Sequence, residues 1–167
     1  SKVEALAFYP SRNAPAQVQA LNRSQIPAQI GAVVESLEKR VGDRFSAGEV
    51  LAKLDCKDKK LELSNQTAQY ARLLENLEFE RRQYVRGKQL AKQKTIGEAE
   101  LDRLNTNVRI AESQFESQSA IKKSAEIGVE RCQIIAPYKG VVVTRVANVG
   151  EMVAMGNPIV EVVELDN

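Results

Sequence analysis

The sequence predicts an α+β fold in which two short β-rich half-motifs pack face to face and an antiparallel coiled-coil α-hairpin is inserted between them. Three observations carry this. VGDRFSAGEVLAKLD, from Val41 to Asp55, is echoed by VGEMVAMGNPIVEVVELD, from Val149 to Asp166. Both open Val-Gly-acid, place a further glycine six positions on, and end in Leu-Asp. The residues between the copies contain no proline up to position 131 and repeat apolar letters every seven positions. Finally, 43% of the 167 residues are hydrophobic but only 5% are aromatic and none is Trp, which asks for a small aliphatic core.

Residues 1–25 hold a strand-like run, AQVQAL from Ala16 to Leu21, and Pro10, Pro15 and Pro27 exclude a long helix there. Residues 26–55 form the first half-motif, with AQIGAVV (Ala28 to Val34) reading as a strand. Its glycines are Gly31, Gly42 and Gly48, stepping by 11 and 6. Glycine supplies turn angles that other residues reach only at a cost.

Residues 56–131 are rich in Glu, Gln, Lys, Arg, Leu and Ala, the strong helix formers. Leu63, Tyr70, Leu77, Tyr84 and Ala91 keep a seven-residue step. Leu73 and Leu74 widen that stripe, while Arg81 and Lys88 interrupt its companion row. Leu101, Val108, Phe115 and Val129 continue the step, with Lys122 as the polar exception. Leu104, Ala111, Ala125 and Cys132 form a second row that Gln118 breaks. Sustained heptads predict a coiled coil. KQKTIGEAE divides the stripes, with a tip near 93–98, and so short a link makes the arms antiparallel. Each arm of about 35 residues would reach roughly 50 Å. Gly87 and Lys88 fall where the seam should continue, which reads either as fraying near the tip or as built-in flexibility.

Residues 132–167 return to strands with turns at Pro137, Gly140, Gly150, Gly156 and Pro158. The glycines step by 10 and 6, so Gly140, Gly150 and Gly156 match Gly31, Gly42 and Gly48. Each first glycine precedes a Val-rich strand and each second one an acid. Neither half could bury its apolar face alone, so the two are expected to close a small flattened barrel.

The composition also excludes functions. With 24 basic and 22 acidic residues, the net charge of +2 gives no nucleic-acid footprint. There is no His, which removes the commonest general base and metal ligand, and two Cys do not make a zinc site. No nucleophile-elbow, phosphate-loop or dinucleotide signature occurs. The carboxylates sit among Lys and Arg on helical faces, so neither an enzyme nor a cofactor is expected. No stretch reaches membrane-spanning length, and residues 1–25 lack the apolar core of a signal peptide.

GAVVESLEKRVGDRFSAGEVLAKLD before the hairpin and IIAPYKGVVVTRVANVGEMVAMGNPIVEVVE after it resemble the periplasmic adaptor proteins, or membrane fusion proteins, of bacterial tripartite efflux and secretion systems. In that family a lipoyl-like domain, the barrel-sandwich hybrid, is split in half by a helical hairpin. The resemblance covers roughly residues 26–166, with Lys139 departing where the family often has an acid. Lipoyl and biotin carriers share the half-motifs, but Lys57, Lys59 and Lys60 do not stand in a carrier motif.

The resemblance extends to the tip. RGKQLAKQKTIGEAELD is similar to the docking pattern of resistance-pump adaptors, with Arg86 and Leu90 in the positions of its Arg and Leu. Gly97 stands where the family has Ser, and Thr95 and Ile96 flank it. The resemblance implies that Arg86, Leu90, Thr95, Ile96 and Gly97 meet the helical tip of an outer-membrane channel of the TolC type. An arginine suits this through its fixed, permanently charged donors. Cys56 and Cys132 lie at nearly equal distances from the turn and should face each other at the hairpin base. A periplasmic setting permits a disulfide. Such a bond would stabilise by about 4 kcal/mol on the chain-entropy model. Two buried free thiols are the alternative.

The implied function is a non-catalytic periplasmic adaptor, anchored to the inner membrane in its full-length form. It would join an inner-membrane transporter of RND or ABC type to an outer-membrane channel, with self-association, commonly as six copies. A coiled-coil scaffold with no transport role is the reading from another class. Residues 1–25 are expected to contribute strands and a linker to an adjacent β-barrel domain that is mostly missing, with its return strand after Asn167.

Overall fold

The computed structural model describes residues 22–165. The elements run β1 (Arg23–Pro27), β2 (Ala32–Leu37), β3 (Arg44–Phe45), β4 (Val50–Leu54), α1 (Lys57–Lys92), α2 (Glu98–Glu130), β5 (Gln133–Ile135), β6 (Gly140–Arg145), β7 (Met152–Val153) and β8 (Pro158–Glu164). Two four-stranded sheets form, ordered β1-β8-β6-β3 and β5-β4-β2-β7, and their strands pair antiparallel. Each sheet takes two strands from either side of the hairpin. Exchanging β1 to β4 for β5 to β8 turns one sheet order into the other, so the domain has a pseudo-twofold.

The repeat holds residue by residue at an offset of 108. The Gly42 N–H donates to Val142 O and the Gly150 N–H to Val34 O, both at 2.8 Å. The Gly48 N–H donates to Ala136 O and the Gly156 N–H to Ala28 O, again at 2.8 Å. All four glycines have positive φ, between 82° and 91°, where a side chain is strained. The acids that follow them have a matching job. Asp43 Oδ2 accepts the Arg40 N–H at 2.8 Å, and Glu151 Oε2 accepts the Asn148 N–H at 2.9 Å, each closing its turn. The buried core obeys the same offset: Ile26 with Ile134, Val34 with Val142, Phe45 with Val153, Leu51 with Ile159, Ala52 with Val160, Leu54 with Val162.

The structure corrects four details. Gly31 and Gly140 are not equivalent: the offset pairs Gly31 with Lys139 and Gly140 with Ala32. Neither has positive φ. A Cβ on Gly140 would stand 2.4 Å from Val163 O and 2.8 Å from Phe45 Cζ, so Gly140 serves close packing. Gly31 has room for one, its nearest neighbour being 3.6 Å away. Likewise Leu54 matches Val162, so the Leu-Asp endings are not superimposed. Within the run Ala28 to Val34, residues 28–31 are connection and strand begins at Ala32. The sandwich also starts earlier than residue 26, because β1 begins at Arg23 and pairs with β8 from Val163 to Pro158. The strand expected over Ala16 to Leu21 lies outside the described residues, as does Asp166.

The hairpin has its own core, a cluster of Leu77, Val108 and Ala111 with Tyr84 and Phe115 packed on it, separate from the sandwich core. At 1.5 Å per residue, the 36 residues of α1 span about 54 Å. On α2 both expected rows face the seam. On α1 the companion of the Leu63–Tyr70–Leu77–Tyr84 row is Lys59, Gln66, Leu73, Glu80 and Gly87, all buried or half-buried, and not the row through Arg81 and Lys88. The polar members have partners. Gln118 Nε2 donates to Gln66 Oε1 at 2.7 Å, fixing one register of the two helices. Lys122 Nζ sits 4.7 Å over the Tyr70 ring, which itself packs 4.9 Å from Phe115. Arg81 Nη2 bridges to Glu112 at 2.8 Å beside the seam.

Candidate functional site at the hairpin tip

α1 stops without a glycine. Lys94 takes the left-handed conformation, φ 58°, and its N–H donates to Ala91 O while the Thr95 N–H reaches back to Leu90 O, both at 2.9 Å. This satisfies two orphan carbonyls of the last turn. The next residues descend through Thr95 and Ile96 to Gly97, which caps α2 in an extended conformation, φ −85° and ψ 171°, with no side-chain capping bond. Nothing lies within 4 Å of where a Gly97 Cβ would point, so the serine of the family pattern would fit there. Glu98 and Glu100 in the first turn suit the positive end of the helix. Two hydrogen bonds from Arg103, at 2.9 and 2.6 Å, hold the Glu100 carboxyl below its ordinary pKa.

The residues singled out at the tip divide into two groups. Arg86, Thr95 and Gly97 are exposed, and Leu90 and Ile96 are half-buried. Arg86 has no ion-pair partner among the described residues. Ile96 turns inward: its Cδ1, with Leu101 Cδ1 and Leu104 Cδ1, lies within 3.7 Å of the position a Gly87 Cβ would take. Gly87 is therefore neither fraying nor a hinge. It is a buried socket, and Leu104 fills it so closely that a Cβ would stand 2.4 Å away. Sequence reasoning noticed Gly87 but not this role. The signal was its seven-residue step from Leu73 and Glu80. Lys88 lies against Tyr84, its Nζ 4.8 Å from the ring centroid.

At the other end, Cys56 and Cys132 are joined, with 5.6 Å between their Cα atoms. The bond crosses the neck where β4 passes into α1 and α2 into β5, beside the hydrogen bond from the Leu54 N–H to Cys132 O at 2.8 Å. Among the described residues no group of three or more His, Cys, Asp or Glu is placed to hold a metal. No helix among them is long and apolar enough to cross a membrane.

Comparison with known proteins gives this architecture its family. The model of the CzcB-like, barrel-sandwich hybrid domain matches residues 22–164. The multidrug resistance protein MdtA of Xenorhabdus bovienii is 27% identical over 151 residues, covering 89% of this chain and 37% of that protein. The chain thus spans about a third of the length of the curated relatives it matches. In fold it is similar to the periplasmic adaptor protein EmrA, with a TM-score of 0.62 and 17% identity over 87% of this chain and 73% of that one. It is similar also to ZneB from Cupriavidus metallidurans, with a TM-score of 0.62 and 18% identity over 86% of this chain and 61% of that one. A sandwich whose halves repeat at a fixed offset, split by one long hairpin and matched by that model from residue 22 to 164, places this chain in the CzcB-like barrel-sandwich hybrid family of membrane fusion proteins.

Proposed function

We propose that this chain is the hub and arm of a non-catalytic periplasmic adaptor that joins an inner-membrane transporter to an outer-membrane channel for export. One observation carries the reading: a rigid sandwich projects a single two-helix arm of about 54 Å whose far end offers exposed Arg86 and Thr95 beside half-buried Leu90. Such an arm suits reaching a partner across a gap. The transporter is of RND or ABC type, the channel of TolC type, and several copies, commonly six, stand together. The full-length protein is anchored to the inner membrane and works in the periplasm. Its relatives support this reading, MdtA by its multidrug-resistance role and EmrA as a periplasmic adaptor.

The test is crosslinking in intact cells from a cysteine at the tip, Lys94→Cys. The native cysteines are bonded to each other and would not compete. The expected result is a crosslink to an outer-membrane channel that Arg86→Glu or Leu90→Asp weakens at least tenfold. A folded, periplasmic protein with no channel crosslink would refute the adaptor role and favour a scaffold.

A further inference from the structure

The tip is strongly basic, and all but one of its cations lie on one helix. RRQYVRGKQLAKQKTIG, from Arg81 to Gly97, holds six basic residues and no acidic one, in a chain whose net charge is +2. The tip acids Glu98, Glu100 and Asp102 all follow on α2, where Arg103 already engages Glu100. Within the basic stretch, Arg82, Val85, Arg86 and Gln89 recur at three- and four-residue spacing and share one side of α1. With Arg81 they line a shallow groove of about 320 Å³. Val85, at its centre, is 54% exposed although apolar. Intramolecular pairing engages Arg81, which bridges to Glu112 at 2.8 Å, but leaves the other two guanidiniums underused: Arg82 reaches Glu78 only at 3.8 Å, and Arg86 has no ion-pair partner among the described residues. From Arg82 to Gln89 the arc runs about 10 Å along the helix.

We propose that Arg82, Val85 and Gln89 extend the docking surface of the tip from Arg86 back along α1, and that this arc receives an acidic helical protein surface carrying an apolar side chain to cover Val85. The proposal rests on the adaptor reading and names the chemistry of its outer partner. Guanidiniums spaced around an apolar centre match carboxylates presented from one helical face, since each fork takes a carboxylate through two parallel hydrogen bonds. Val85 and the Gln89 amide distinguish such a partner from a lipid surface, which asks only for a field of positive charge. Docking along the side of α1 would overlap arm and partner by about two helical turns, where the loop alone offers an end-on contact.

The experiment uses the Lys94→Cys reporter in cells. Arg82→Glu and Val85→Asp leave Arg86, Leu90 and the seam intact, and helicity measured on the purified variants checks that they fold. Each should cut the channel crosslink about tenfold, Val85→Ala about threefold, and Lys60→Glu at the hairpin base should leave it unchanged. If Arg82→Glu and Val85→Asp stay within twofold while Leu90→Asp abolishes the crosslink, docking is confined to the tip residues and the arc proposal fails with the adaptor reading intact. If the parent reporter gives no crosslink, both fail. Vesicles of phosphatidylglycerol serve as the lipid probe. If they bind the parent chain as tightly as outer-membrane fragments do, and lose it on Arg82→Glu, the arc serves lipid and the proposal is overturned.

Discussion

Removing the disulfide should cost global stability while leaving local motion almost untouched. The bond closes a loop of 76 residues. On the chain-entropy account that restricts the unfolded chain by about 4.5 kcal/mol at 25 °C. The 5.6 Å between the Cα atoms lies within the ordinary range for such bonds. The loop it closes is the hairpin, and that decides where the stabilisation is felt. While the sandwich is folded, pairing of β4 with β5 already holds the two cysteines together. While the hairpin is folded, its coiled coil does the same. The bond matters in full only when both come apart. In the Cys56→Ala, Cys132→Ala double variant, hydrogen exchange should divide the amides into two classes. Deeply buried ones such as Leu51 and Val160, which exchange only on global unfolding, should speed up about two-thousandfold, the equivalent of the 4.5 kcal/mol. Amides near the tip, which exchange by fraying, should be unchanged. Uniform acceleration along both helices would refute the reasoning, because it would mean the bond supports the hairpin directly. No change at Leu51 or Val160 would refute the chain-entropy account.

Three further outcomes follow from the packing. Gly140→Ala should destabilise the sandwich by about 1–3 kcal/mol in urea titration, since its methyl meets the Val163 carbonyl and the Phe45 ring, whereas Gly31→Ala should cost well under 1 kcal/mol. Leu77→Ala should cost about 2–4 kcal/mol, read as lost helix protection in hydrogen exchange with sandwich protection kept, because Leu77 belongs to the separate hairpin core. Hydrogen bonds from Ser36 and Lys53 lower the pKa of Glu38, and those from Lys39 and the Ser46 N–H lower that of Glu49. Carboxyls lowered on folding add stability that is present above the ordinary carboxylate range and lost as pH falls through their depressed values. Stability should therefore be flat near neutrality and decline below about pH 4, with a shallower decline in Glu38→Gln and Glu49→Gln.

The parts of the fold legible in the sequence are those where one letter has one cause. Gly42, Gly48, Gly150 and Gly156 are needed for positive φ, and Asp43 and Glu151 close their turns, so the repeat could be read before the sheets were known. The heptads of α2 were legible because their members are largely apolar. Misreadings arose where one letter serves two purposes or where burial is partial. Gly140 is a glycine for want of space and Gly31 is not, yet the spacing invited equating them. The α1 companion row hid behind Lys59, Gln66 and Glu80, polar residues whose stems line a seam. At the tip, the inward turn of Ile96 was not legible, because it depends on a missing side chain at Gly87 and on Leu104 from the opposite arm. The strand RSQIP has few strand letters and depends on β8 for its pairing.

The separation of the two apolar cores has a mechanical consequence. Among the described residues the hub and the arm share no buried apolar cluster, so the arm's direction is set at the neck by two short links that leave the paired strands β4 and β5. A beam held that way magnifies small rotations at its root. Over an arm of about 54 Å, a 5° tilt at the neck carries the tip sideways by about 5 Å, close to the pitch of one helical turn. The pairing of β4 with β5 at the root thus governs aim at the far end, and a change at the neck that leaves the sandwich folded swings the tip by a full step.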